Sequence, residues 1–225
     1  MRSCHVAALS LAAALGAGSP ALAQPMLYEQ RLPEGTGFVR LANATAGQIT
    51  VKPDYDEATT LGTNGAERVS PFYVSEGIAG RPVRLQVTAG GRTVPVEVRL
   101  EGSALNVVVI RGSGDVITAA AFQVRQLYEQ QRAVLAFVNA VPDCANGAVA
   151  LQPSGQSVMS GVGAMSAQNR AVAPAAAVVR ASCASGAAPN LDLGRLQAGG
   201  LYSVWLMAPE GQPISFLARD TIARR

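Results

Sequence analysis

Residues 81–101 leave this chain little choice of local structure. Val83, Leu85 and Val87 alternate with Arg84, Gln86 and Thr88; after Gly90-Gly91, Val94, Val96, Val98 and Leu100 alternate with Pro95, Glu97, Arg99 and Glu101. Period-two alternation on both sides of a two-glycine turn specifies a β-hairpin with one buried face. Centring the turn on Gly90-Gly91 sets Val87 opposite Val94, Leu85 opposite Val96 and Val83 opposite Val98, and sets Arg84 opposite Glu97 on the other face. Apolar pairing and charge pairing therefore select the same register. Pro95 has no N–H to give a neighbour, so its strand is expected at a sheet edge or an irregularity.

Further strands are expected at 37–43, 48–52, 68–74 and 105–111, each bounded by Gly, Asn or Pro. Leu105-Asn106-Val107-Val108-Val109-Ile110 is nearly continuous in apolar residues, the pattern of a central strand buried on both faces. Many short strands without a long helical period indicate a β-sandwich. Residues 121–132 read as a short amphipathic helix or an extended connector. Beyond them the opening motif returns: Phe38-Val39-Arg40-Leu41-Ala42-Asn43-Ala44 aligns with Val134-Leu135-Ala136-Phe137-Val138-Asn139-Ala140 at an offset of 96. The strand at 105–111 aligns with 202–209 at an offset of 97, placing Gly102 over Gly199. Two ends matching at nearly one offset imply a tandem duplication.

The expected architecture is all-β, with two tandem immunoglobulin-like or carbohydrate-binding-module-like β-sandwich domains. Residues 24–118 form the first, 119–132 a connector and 133–225 the second. The second copy is less legible because 161–189 is rich in Ala and poor in large side chains. A strand at 201–207 carries apolar residues on both faces, so its Trp205 is expected in the core. A turn at 209–213 and a strand at 214–218 follow. Phe72, Tyr73 and Tyr28 are the aromatics expected to be partly exposed.

The N-terminus has a basic head, an apolar stretch at 6–16 and Ala21-Leu22-Ala23 before Gln24. That is the order of a secretory signal peptide, residues 1–23, cleaved between Ala23 and Gln24. Cys4 precedes the apolar stretch, so it is not a lipoprotein acceptor. The mature protein is expected to be exported, to the periplasm, without a membrane-spanning segment.

Processing also changes the chemical inventory. The single histidine, His5, and one of the three cysteines leave with the signal. Cys144 and Cys183 remain, and in an oxidising compartment they are expected to pair. The bridge would close a loop across the Ala-rich segment, offsetting a thin core by restricting the unfolded chain.

Without histidine, a Ser-His-Asp triad, a Cys-His pair and the usual zinc sites cannot be built. No catalytic residue, metal site or cofactor site is assigned. Gly112-Ser113-Gly114-Asp115 has the look of a serine loop but no base for the hydroxyl, and reads as a turn. Asp54, Asp56 and Glu57 cluster around Tyr55, yet lack a calcium-loop consensus and read as a solvated loop. A glycosidase built on such carboxylates is a remote rival. At 15% charged residues and a formal net charge of +3, the chain offers no nucleic-acid signature.

Met26-Leu27-Tyr28, then Pro33-Glu34-Gly35-Thr36-Gly37-Phe38-Val39-Arg40 and Asn43-Ala44, resemble the start of the mature AlgF family, periplasmic proteins of bacterial alginate O-acetylation. Val94-Pro95-Val96 and the restart at Arg132-Ala133-Val134-Leu135 also resemble that family. The Ala-rich segment and both cysteines depart from its pattern. The resemblance implies a non-catalytic adaptor for an alginate-like exopolysaccharide. Its partners would be SGNH-type periplasmic and membrane-bound O-acetyltransferases, or the polymer. The alternatives are a binding module for an anionic polysaccharide, with Tyr28, Arg40, Arg81 and Arg92 as contacts, and a two-domain periplasmic chaperone. Guanidinium groups suit the carboxylates of such a polymer.

Overall fold

In the computed structural model, which describes residues 35–114 and 116–223, the first half of the chain forms eight strands. They are β1 (Gly37–Asn43), β2 (Ile49–Pro53), β3 (Thr59–Leu61), β4 (Phe72–Ser75), β5 (Pro82–Ala89), β6 (Arg92–Arg99), β7 (Leu105–Ser113) and β8 (Val116–Val124). The second half forms β9 (Ala133–Asn139), β10 (Gly147–Leu151), β11 (Ser157–Val162), β12 (Ser166–Val172) and β13 (Ala176–Cys183). It continues through β14 (Gly186–Ala187), β15 (Leu191–Arg195), β16 (Leu201–Met207), β17 (Ile214–Arg219) and β18 (Ile222–Ala223). The expected signal peptide, its Ala23/Gln24 cleavage site and Tyr28 lie outside the described residues, as does Asp115.

The hairpin of β5 and β6 has the register its sequence requires, with Val83↔Val98, Leu85↔Val96, Val87↔Val94 and Arg84↔Glu97. The strand carrying Pro95 is the edge of its sheet, whose order is β3-β2-β5-β6. Its second sheet has the order β18-β4-β1-β7-β8. The other half repeats the plan, with β12-β9-β16-β17 against β11-β10-β13-β14, and β15 also on β13.

The four sheets stack in layers with three cores between them. One core fills the first sandwich with Val39, Leu41, Leu85, Val108 and Ile110. Another fills the second with Leu135, Phe137, Val149, Val204 and Leu206. The third lies between the two inner sheets and holds Ala42, Phe72, Val107, Val109, Val138, Trp205, Met207 and Phe216. Because each inner sheet has a core on both sides, alternate residues of β7 and of β16 all enter apolar surroundings. This accounts for the unbroken runs 105–110 and 204–207. Trp205 is fully buried and stacks on Phe216 with ring centroids 6.1 Å apart. Phe72, expected to be partly exposed, is instead buried in this shared core, while Tyr73 on the next position is partly exposed.

The duplication is written in the hydrogen bonds. Ser103 N donates to Thr36 O as Gly199 N donates to Arg132 O; Phe38 N donates to Ala104 O as Val134 N donates to Gly200 O; Ala44 N donates to Ile110 O as Ala140 N donates to Leu206 O. Both members of every bond shift by one offset, 96, so the late strands match at 96 and not 97. In both halves the first strand pairs parallel with the late one, Phe38↔Leu105 and Val134↔Leu201. The repeated Asn has one job in each copy. Asn43 Nδ2 donates to the carbonyls of Gly47, Leu61 and Gly62, and Asn139 Nδ2 to those of Cys144, Val162 and Gly163. Each ties the end of the first strand to two loops. The Asn43 amide nitrogen is thereby fully engaged.

The same equivalence places Ser103, φ 54°, where the second copy has Gly199, φ 73°. A side chain pays a steric cost in this left-handed region that glycine does not. Ser103→Gly is expected to stabilise the fold by about 1 kcal/mol, measured as an upward shift of the urea midpoint.

Two further expectations require correction, and a segment left open is resolved. The connector does not begin at 119, because Ala119, Ala121 and the residues to Val124 pair with β7 as part of β8. The linker is residues 125–132. The strand expected at 68–74 starts at Phe72: Arg68 closes a 3₁₀ turn, Gly65–Arg68, and its buried side chain donates to the carbonyls of Asn43 and Thr45, while Val69 makes only an isolated bridge to Ala42. The Ala-rich segment is regular sheet, β12 through β14, whose pairing is carried by backbone groups that do not depend on side-chain size. The described residues from 35 to 223 form one compact unit with the two sandwiches sharing the middle core. After β17 the chain crosses to the first half, where β18 pairs with β4. A disulfide joins Cys144 to Cys183 with a Cα–Cα distance of 5.6 Å.

Candidate functional site

The three described arginines singled out from sequence do not converge. Arg40 lies on β1 with its side chain turned into the middle core, where it is 1% exposed. It is not a surface contact for a polymer, because burial there withholds the guanidinium from solvent ligands. Arg81 and Arg92 flank β5 and open β6, at opposite ends of the hairpin. That separates them by roughly 25 Å at the rise of a β-strand. Arg81 is committed as well: Nη1 and Nη2 donate to the two carboxylate oxygens of Asp54 at 2.7 and 3.2 Å.

The hydrogen bond from Arg81 holds the Asp54 carboxyl below its ordinary value. The sign follows from this direction. The pair's contribution is complete above about pH 4, where the unfolded chain's carboxyl is ionised, and is lost as pH falls through the lower folded-state value. Asp54→Asn is expected to be slightly less stable than the parent at neutral pH. In urea titrations the difference should shrink as pH falls through the lowered folded-state value. Both side chains are substantially exposed, so the effect is small.

A charged cluster lies where the chain passes from the second half to the first. Asp220 follows β17, and its N–H donates to Leu201 O. Arg40 Nη1 donates to its Oδ1 at 2.5 Å, and Ser203 Oγ donates to the same oxygen at 2.7 Å. Trp205 Nε1 in turn donates to Ser203 Oγ at 2.9 Å. The Arg40 guanidinium carbon sits 4.2 Å from the centre of the Phe72 ring, a cation–π contact with the first half. Thus β1, β4, β16 and the crossing segment meet at one ion pair.

A cavity of about 30 Å³ adjoins this cluster, closed on one side by linker residues 125–127. The volume suits one or two water molecules. Arg40 Nε, buried and without a partner, is the polar group such water would satisfy. Asn169 Nδ2 donates to Arg125 O and anchors the linker on β12.

Chemically, a serine hydroxyl donating to a carboxylate suggests an activated nucleophile. Here the accepting oxygen also carries the Arg40 bond, and Ser203 is 1% exposed. A buried hydroxyl facing a neutralised carboxylate cannot meet a substrate, so the cluster joins the sheets. Asp54, Asp56 and Glu57 lie in the loop after β2 with Asp54 held by Arg81, and Ser113-Gly114 forms part of the turn between β7 and β8. Among the described residues no group of three or more His, Cys, Asp or Glu could hold a metal ion.

Sequence reasoning missed Asp220, whose partner is 180 residues away. It also missed Ser203, which reads as one more strand residue. The signal that could have found them is the unexplained Arg40 inside an otherwise apolar strand, since a buried charge requires a partner. No protein-family model matches the chain, and no curated protein matches it in sequence.

Proposed function

We propose that this protein is a non-catalytic periplasmic adaptor in O-acetylation of an alginate-like exopolysaccharide, working through contacts with SGNH-type and membrane-bound acetyltransferases. The carrying observation is that its Ser203 hydroxyl is buried and faces an Asp220 carboxylate already paired with Arg40. Residues 24–225 contain no histidine to serve as a base in its place. The resemblance at 26–44 supplies the pathway. A four-layer unit with two outward sheets suits a part that contacts more than one enzyme.

Deleting the gene and measuring acetyl groups on the secreted polymer tests the role. A large loss of acetylation is expected, and unchanged acetylation would overturn it. The polymer-binding reading loses support because Arg40 is buried and Arg81 is bonded to Asp54. Uronate oligomers are accordingly expected to show no binding to the purified protein at millimolar concentration.

A further inference from the structure

The two copies of the sandwich differ at one place in a way that duplication does not explain. In the first copy Ile49 pairs with both Leu61 and Ala89; in the second, Gly147 pairs with Val162, and the carbonyls of Leu61 and Val162 each accept from the repeated Asn. This makes Ile49 equivalent to Gly147. Val51 then corresponds to Val149, and the cross-strand partners follow: Val87 to Ala181, Leu85 to Val179 and, one pleat further, Val83 to Ala177. Every one of these inward positions, Val51 apart, is smaller in the second copy. Val83, Leu85 and Val87 are fully buried and fill the first core. In the second copy the half-buried Ala177 and the buried Val179 line an opening of about 380 Å³ at the edge of the sandwich, between β11 and β12.

The mouth changes with the walls. Arg170 pairs with Leu135 on β9 where Tyr73 pairs with Val39 on β1, and Arg132 stands where the first copy has Thr36. Both arginines line the opening, together with Leu151, Leu193 and Leu196, and among the described residues no acidic side chain lines it. Arg170 Nη1 donates to Val158 O at 2.8 Å, which carries the guanidinium across the gap from one sheet to the other.

Apolar walls of this volume lie within the range of small-ligand sites. Two guanidinium groups at the rim add a fork suited to a carboxylate. We infer that the second sandwich binds a medium-chain aliphatic carboxylate, its tail against Val158, Val172 and Ala177 and its head between Arg132 and Arg170. The site is separate from the acetylation role and stands or falls without it.

Calorimetric titration of the purified protein with octanoate tests this, with acetate and octanol as head-only and tail-only probes. Octanoate is expected to bind at least tenfold more tightly than either. Arg132→Ala with Arg170→Ala should weaken octanoate at least tenfold while leaving octanol unchanged. Ala177→Val with Val179→Leu, which restores the residues of the first copy, should abolish binding while circular dichroism and the thermal midpoint show an intact fold. Absence of octanoate binding at millimolar concentration would overturn the inference. So would equal affinity for octanol, or undiminished binding by the folded Ala177→Val, Val179→Leu variant.

Discussion

Asp220→Ala is expected to lower the unfolding free energy by about 3–5 kcal/mol, the cost of leaving a buried charge without its partner. Arg40 is left in the middle core with a 2% exposed side chain, its Nη1 and Ser203 Oγ both losing their acceptor. The ion pair itself need not be stabilising, because both groups were desolvated to form it. That distinction yields a sharper test. Arg40→Met combined with Asp220→Asn removes the charge while keeping an acceptor for Ser203, and it should cost much less than Asp220→Ala alone. Urea unfolding of the single and double variants measures the difference. Additive losses in the two positions would mean that Arg40 and Asp220 are not energetically coupled. Since Arg40 belongs to the first half and Asp220 to the second, the Asp220→Ala variant should also loosen the joint unfolding of the halves, seen as a broader transition.

The second large effect concerns the disulfide. Replacing Cys144 and Cys183 together with alanine is expected to destabilise by about 4 kcal/mol, from the loop-closure entropy of a chain of this length. The bridged residues are 39 apart in sequence. Most of the loss arises in the unfolded state, where the cross-link no longer limits the chain. The effect should be felt most in the second sandwich, whose inward positions are Gly147, Ala177 and Ala181 where the first has Ile49, Val83 and Val87. Intact-mass measurement before and after reduction and alkylation establishes the bond. Paired urea titrations then give its contribution, and equal midpoints with and without reductant would refute it.

The parts of the fold that were legible in advance are those decided by neighbours in sequence. The β5-β6 hairpin carries its own turn, its own alternation and its own charge pair, so its register could be read to the residue. The apolar run of β7 likewise announced a strand buried on both sides. The duplication was legible at its two ends because Asn43 and Asn139 are held to the same three-carbonyl task. The Ala-rich strands β12 and β13 were not legible, since Ala carries no period and their order comes from backbone bonds to β9 and β10. Nor was the start of β4, where a 3₁₀ turn buries Arg68 in a stretch that alternates like a strand.

The candidate site was legible only as a list of arginines, and the list misled. Charge type marks what a residue can bind; it does not say whether water or a carboxylate is there to be bound. Arg40 looked like a polymer contact because its partner lies beyond the reach of any local pattern.

The amino-acid sequence by itself determined the class of element, the strand register within the hairpin and the repeat, because alternation, turns and capping side chains act over a few residues. It also determined the chemical inventory, with two cysteines and no histidine after position 23. The tertiary structure alone decided that two sandwiches share a third core, that Asp220 closes the charge of Arg40, and that Ala177 lines an opening of about 380 Å³ where the first copy has the buried Val83. Those outcomes depend on which faces meet across long sequence separations, and on the volume left between them, quantities that no local pattern encodes.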